Sequence, residues 1–384
     1  MGKRESFLEK MVNHSESFFG VYNKKRVLVT GHTGFKGSWL SLWLTRLGAD
    51  VAGFSKYLPS KPCHFEVTHL REKLTHHEGD IRNIEGLEKV FKEFQPQIVF
   101  HLAAQPIVRE SYDNPKMTFD TNLGGTVNVL ECIRQASSVE AAVIITSDKC
   151  YENLGRDLAY RENDRLGGED PYSASKACAE IACHAYFQSF FNRADAPKIA
   201  TTRAGNVIGG GDWASDRIIP DCVRAWSKND TPVIRKPEAT RPWQHVLEPV
   251  SGYLWLGACL LNNSHGVAGE SFNFGPKKEV VKSVRELVDL FLKYWGKGTW
   301  EYVPLEGEKK EASLLKLSCD KALERLSWRP LLTFEETVEL TAQWYKKYYE
   351  KNGAGLYEHT NSQVDWYVQK AVDQGLPWIN GVKV

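Results

Sequence analysis

The residues best suited to chemistry in this chain are Tyr172 and Lys176, four apart in Pro171-Tyr-Ser-Ala-Ser-Lys176. On a helix, positions i and i+4 lie on one face. An ammonium beside a phenol favours the phenolate, so Tyr172 is expected to accept a proton near neutral pH. Oxidation of an alcohol needs such a base while hydride leaves for a nicotinamide. Upstream, Thr146-Ser147-Asp148-Lys149 ends an apolar run and offers two hydroxyls, a carboxyl and an amine in succession. Asp148 and Lys149 belong either to the same centre or to an ion pair at the surface of a strand end.

A second string, Gly31-His-Thr33-Gly34-Phe35-Lys36-Gly37, has the spacing GxxGxxG. A phosphate needs a helix N-terminus with free N–H groups and no β-carbon in its way. The string directly follows the β-branched run Arg26–Thr30 and precedes a helical segment, the context of a dinucleotide cradle. The second strand ends Gly53-Phe-Ser-Lys56, without the carboxylate that selects NAD through its ribose hydroxyls. Ser55 can take that hydroxyl contact, whereas Lys36 and Lys56 would equally meet a 2′-phosphate, so these residues leave NAD and NADP open. Asp80-Ile81 offers a carboxylate to an adenine amino group, or caps the next helix. His101-Leu102-Ala103-Ala104 closes another strand with small residues, where a nicotinamide ribose or pyrophosphate can lie close. Asn122, inside a helical stretch, either has a buried partner or faces solvent.

These residues need elements to hold them. Short apolar runs at Arg26–Thr30, Asp50–Phe54, Gln97–Leu102, Ala141–Thr146 and Lys198–Ala204 read as buried parallel strands. Between them, Ser38–Leu47, Glu85–Phe94, Thr118–Ser137 and Pro171–Phe191 read as helices. That alternation implies an α/β fold, a doubly wound parallel (Rossmann) sheet. Residues 25–205 form this domain, and residues 206–345 form a smaller mixed α/β substrate-binding lobe, from which a strand can rejoin the sheet. Ser283–Trp295 and Phe334–Glu350 read as helices of that lobe. Residues 1–24 and 346–384 are extensions, and Lys351–Val384 shows little pattern.

In the second lobe, Asn206 follows a strand in Arg203-Ala-Gly-Asn206, and Arg217, Arg235 and Arg241 come after it. Guanidinium groups bind a diphosphate in bidentate fashion. Separately each is an ordinary surface charge; as a set around Asn206 they read as a diphosphate site.

Bulk properties exclude other classes. The 384 residues carry a net charge of +1, which gives nucleic acid or a membrane surface nothing to bind. No run reaches membrane-spanning length, and the charged N-terminus is no secretory signal, so cytoplasm is expected. The 8 scattered cysteines have no zinc spacing and read as buried thiols; no metal is expected.

Together, Gly31–Gly37, His101–Ala104, Thr146-Ser147 and Tyr172–Lys176 resemble the extended short-chain dehydrogenase/reductase family over roughly residues 25–345. Within it, ionisable residues after the Ser/Thr pair are the mark of sugar 4,6-dehydratases, and Thr146-Ser-Asp-Lys-Cys-Tyr151 is similar to the CDP-glucose 4,6-dehydratases. The strings from Arg203 to Trp213 and from Arg241 to Pro249 share that similarity. The resemblance implies Ser147 on the C4 hydroxyl, Asp148 as acid for the C6 hydroxyl and Lys149 as base at C5. It also implies tightly bound NAD, CDP-glucose as substrate, and diphosphate contacts from Asn206, Arg217, Arg235 and Arg241. A homodimer or homotetramer built on Thr118–Ser137 and Pro171–Phe191 is a further expectation, as is a role in deoxysugar synthesis for a surface polysaccharide. The alternatives are a dehydratase acting on another nucleotide sugar, an epimerase or decarboxylase of the same fold, or a nucleotide-sensing scaffold without turnover.

Overall fold

The structure is a computed structural model describing residues 14–155, 158–277, 280–303 and 315–380. Seven strands form one parallel sheet: β1 (Arg26–Thr30), β2 (Asp50–Ser55), β3 (Thr75–Glu78), β4 (Ile98–His101), β5 (Ala141–Ile145), β6 (Lys198–Ala204) and β7 (Ser271–Phe274). Their spatial order is 7-6-5-4-1-2-3, so β7 does rejoin the sheet from the second lobe. The order reverses between β1 and β4, and ligands of open α/β sheets bind outside the strand C-termini at such a switch.

Alternate residues of each strand feed two cores. Val27 and Val29 face one, with Trp39, Leu40 and Trp43 of α1 (Phe35–Arg46); Leu28 faces the other. That second core packs α2 (Ile84–Phe94) and α3 (Gly125–Gln135), together with Cys183 of α4 (Pro171–Tyr186). The helix expected over Thr118–Ser137 begins earlier, at Pro115–Phe119, and passes through a π turn at Asp120–Gly124 before α3. Such turns concentrate at functional sites, and this one carries Asn122.

In the second lobe, α5 (Ile218–Ser227), α6 (Leu247–Leu261), α7 (Val284–Trp295) and α8 (Phe334–Lys351) surround several two-residue strands. Helix α6 is apolar nearly all round and is buried from Leu247 to Leu260, against β5 and β6.

The unpatterned C-terminus is helical: α9 (Leu356–Asp373), then a turn at Pro377–Asn380. It closes over α1 together with residues near the N-terminus. Phe18 stacks on Trp378 with ring centroids 4.9 Å apart, Trp43 meets Trp378 at 6.2 Å, and Arg46 pairs with Asp365. The buried Glu248 of α6 accepts bonds from Leu331 N (2.8 Å), Leu332 N (2.6 Å) and the Tyr367 hydroxyl (2.7 Å). Among the described residues, no helix is long and apolar enough to cross a membrane.

Candidate active site

The glycine loop connects β1 to α1. Gly31 has φ +76°, and a Cβ on it would lie 2.6 Å from Ala103 N. A Cβ on Gly37 would lie 2.1 Å from Gly31 O. Only glycine allows this close weave. The loop is tied to the end of β2: Gly31 N donates to Phe54 O (2.8 Å), Thr33 N to Ser55 Oγ (3.4 Å) and Thr33 Oγ1 to Tyr57 O (2.8 Å). No side chain caps α1 at Gly34, which leaves its first N–H groups for an anion. The cradle fits a dinucleotide pyrophosphate.

Around it, the expected residues are placed as follows. Ser55, read as a ribose contact, also braces the loop, with its Oγ 3.1 Å from His32 Nδ1. His32 was not singled out as a site residue. It is fully buried, bonds His76 through Nε2 (2.7 Å), and has its pKa lowered to about 3 by burial and by His76. Asp80 is no helix cap, because Asn83 caps α2; its carboxylate is held by Arg82 (2.6 Å) and Lys56 (3.1 Å) instead. Ile81 is buried behind it, and Leu102, Ala103 and Ala104 are partly exposed past the end of β4. Asn122 does not face solvent. Its amide receives Gln105 N (2.8 Å) and donates to Gln105 O (3.1 Å) and Ser175 Oγ (2.9 Å), joining the loop after β4 to α4.

The chemical centre forms where β5 ends. Thr146 N continues the ladder to Thr202 O (2.8 Å), and Ser147 then caps a single 3₁₀ turn, Asp148–Cys150, accepting from Lys149 N (3.2 Å). The Ser147 hydroxyl donates to Asp148 Oδ1 (3.0 Å). Asp148 is 6% exposed, which overturns the surface ion pair as a reading of it; Lys149 beside it is partly exposed. Burial raises the Asp148 pKa, against the pull of Lys149, Ser147 and Lys36. The half-buried Lys36 has its pKa lowered to about 8 by burial, opposed by Asp148 and helped by Arg217 and Lys176.

Tyr172 and Lys176 share a face of α4 as expected. The Lys176 ammonium lies 3.5 Å from Ile145 O, and burial lowers its pKa to about 8, opposed by Glu180. One expectation fails: the phenol of Tyr172 is not brought toward neutrality. Burial pushes it up to about 12, and the pull back comes from Ser147 and Arg217 rather than from Lys176. Desolvation of the phenolate outweighs the neighbouring charge.

The residues expected at a diphosphate are less uniform than the sequence suggested. Arg217 stands at the start of α5, donates to Asp212 Oδ2 (2.6 Å), and its charge reaches Tyr172 and Lys36. Arg235 is exposed and lies 3.9 Å from Asp216, which also faces Arg109 at 3.6 Å. Arg241 donates to its neighbour Thr240 O (2.8 Å), and Asn206 is exposed with its carbonyl on Gln244 N (3.3 Å).

A family model described as GDP-mannose 4,6 dehydratase matches residues 28–341. The chain belongs to this dehydratase family. It is 48% identical over 326 residues to the CDP-glucose 4,6-dehydratase of Salmonella typhimurium, covering 84% of this chain and 90% of that one. Among solved structures it resembles the epimerase Mth375 of Methanothermobacter thermautotrophicus, at a TM-score of 0.75 and 28% identity, covering 89% and 97% of the two chains. The dTDP-glucose 4,6-dehydratase of Bacillus anthracis in complex with NAD gives a TM-score of 0.70 and 25% identity, over 84% and 97%. The family assignment thus agrees with a strand end that carries a carboxyl and an amine next to the tyrosine and lysine.

Proposed function

We propose that this chain is a CDP-glucose 4,6-dehydratase that works with a retained NAD. The observation carrying the reading is the buried Asp148, hydrogen-bonded to Ser147 and followed by Lys149, in the same strand-end centre as Tyr172 and Lys176. An epimerase of this fold has no need of that second pair of proton handlers.

The residues that would hold the cofactor are Gly31–Gly37 at its pyrophosphate, Ser55 and Asp80 at its adenosine, Leu102–Ala104 near the middle, with Asn122 bracing the loop after them from behind, and Thr146, Tyr172 and Lys176 at its nicotinamide end. When bound, NAD supplies the acceptor that removes hydride from C4 and returns it at C6. The protein moves the protons. Tyr172 takes the proton of the C4 hydroxyl, oriented by Ser147, with the Ser147 hydroxyl and the Arg217 charge favouring the anion against the burial that opposes it. Once C4 is a ketone, the C5 proton is acidic and Lys149 removes it. Asp148, kept protonated to higher pH by its burial, gives its proton to the departing C6 hydroxyl. One water leaves; as hydride arrives at C6, Lys149 returns its proton to C5, and the product is CDP-4-dehydro-6-deoxyglucose, with the proton gained by Tyr172 balancing through solvent the one given up by Asp148. Asn206, Arg217, Arg235 and Arg241 hold the diphosphate.

The enzyme acts as a homodimer or homotetramer in the cytoplasm, making a precursor of deoxysugars for polysaccharide. Ile181 on α4 is 57% exposed and Tyr112, on the neighbouring helix Val108–Asp113, is 49% exposed, which suits a subunit contact on that face.

The test is incubation with CDP-glucose, without added reductant, beside dTDP-glucose, GDP-mannose and UDP-glucose. A product one water lighter from CDP-glucose alone is expected. A C4-inverted product of unchanged mass would overturn the reading.

A further inference from the structure

Ser147 caps, and Asp148 and Lys149 open, a 3₁₀ turn of three residues, Asp148–Cys150, an element with little stability of its own. Its two ends run into one buried ion pair. Glu180 lies one helical turn beyond Lys176, so Tyr172, Lys176 and Glu180 follow one another along a face of α4. Arg203 comes from β6 and grips the Glu180 carboxylate with two nitrogens, Nε at 3.0 Å and Nη2 at 2.9 Å. Both side chains are almost wholly buried, at 3% and 2% exposure.

Before the turn, the Thr146 hydroxyl donates to Glu180, which also accepts from Thr201 (2.7 Å) and Ser271 (3.2 Å). After the turn, the Tyr151 hydroxyl accepts from Arg203 Nη1 (2.8 Å) and donates to Asn273 of β7 (2.8 Å), with the guanidinium 4.8 Å from the tyrosine ring centroid. Arg203 also donates to Glu162 O (3.0 Å). Thr146, just before the cap, is therefore fixed to the acid of the pair, and Tyr151, the first residue after the turn, to the base.

A buried ion pair contributes little net stability, since desolvating both charges offsets their attraction. What this one does provide is a common reference point for α4, β6 and the Asp148–Cys150 turn with its cap Ser147.

We infer that Glu180 and Arg203, with Tyr151, are positioning residues that hold Asp148 and Lys149 in register with Tyr172 and Lys176. This rests on the dehydratase reading above. Oxidation at C4 uses Tyr172 and Lys176, whose helix stays anchored elsewhere by Asn122 and Ser175. Elimination uses the turn that the clamp holds. Loosening the clamp therefore separates the two half-reactions.

The experiment compares wild type with Tyr151→Phe, which keeps the ring, and with the double variant Glu180→Gln/Arg203→Met, which removes both charges together and leaves neither buried alone. Each is given whichever nucleotide sugar the wild type dehydrates. For the folded variants, KM is expected within about threefold of wild type and kcat lower by about 10²-fold, the effect of a displacement of about an ångström. Adding substrate is also expected to build up the near-ultraviolet absorbance of reduced nicotinamide, because C4 oxidation outruns elimination. Unchanged kcat in a folded variant would overturn the inference, as would a fall in kcat with no such absorbance. The lysine variant Arg203→Lys restores the charge without the fork and is expected to recover only part of kcat. A wrong substrate assignment shows in the wild type; a wrong clamp shows only in the variants.

Discussion

Where β5 ends, Asp148, Tyr172, Lys176 and Lys36 are drawn out of water into one electrostatic neighbourhood; on the α1 side of the sheet, Phe18, Trp43, Tyr367 and Trp378 are buried by stacking. Burial displaces the pKa of each of the four groups, upward for the acids and downward for the lysines. In the terminal clasp, burial mainly removes apolar surface from water, and its principal ionisable member is Glu248 with its three donors. The same desolvation that stabilises the clasp shifts the proposed catalytic groups toward their neutral forms. The first region is built to react and the second to persist.

Three substitutions sharpen that contrast. Asp148→Asn keeps the shape of the site and removes its proton, so kcat for water loss should fall by about 10²–10⁴-fold with an unchanged melting temperature. Product mass and thermal unfolding read this; near-normal turnover would mean that another group protonates the C6 hydroxyl. Trp378→Ala should do the reverse, destabilising the fold by about 3–5 kcal/mol while leaving kcat intact below the lowered transition. Denaturant unfolding measures it, and a parallel loss of kcat would join the two regions.

Glu248 gives the third and smallest effect, of the order of 3 kcal/mol. Burial raises its folded pKa to about 7, above the usual carboxylate range, so the fold retains a proton that the unfolded chain gives up. That contribution is complete below the unfolded pKa and is lost as pH rises through about 7. Between pH of about 5 and about 8, wild-type melting temperature should therefore carry a downward slope that Glu248→Gln removes. Equal slopes would show that this carboxyl is ionised in the folded protein.

The sequence made the parallel sheet and the glycine cradle legible because their signals are local: a β-branched run, a glycine triplet, then a helical period. Tyr172 and Lys176 were legible for the same reason. Helix α9 was not. Its buried positions Leu356, Thr360, Asn361, Gln363, Val364, Tyr367, Val368 and Ala371 have helical spacing, but three of the first four are polar, so no apolar stripe appears. The pair Glu180–Arg203 and the contact of His32 with His76 were invisible because each joins distant parts of the chain, where spacing carries no information. The phenol of Tyr172 was misjudged because its burial cannot be read from residue spacing.

Strand β7 has a consequence for how the protein is made. The sheet that holds the cofactor cradle is finished by Ser271–Phe274, long after Ala204 has closed β6. While the intervening lobe is still being synthesised, β6 is an open edge, with nothing to pair its outer amides. Asn273 arrives only with β7, and with it the last tether on Tyr151. A nascent chain cut off after residue 205 would therefore expose a sticky strand and lack the finished anchor of the Asp148–Cys150 turn. Residues 25–205 and 206–345 cannot be exchanged as separate cassettes, because the later stretch carries the final strand of the earlier one's sheet.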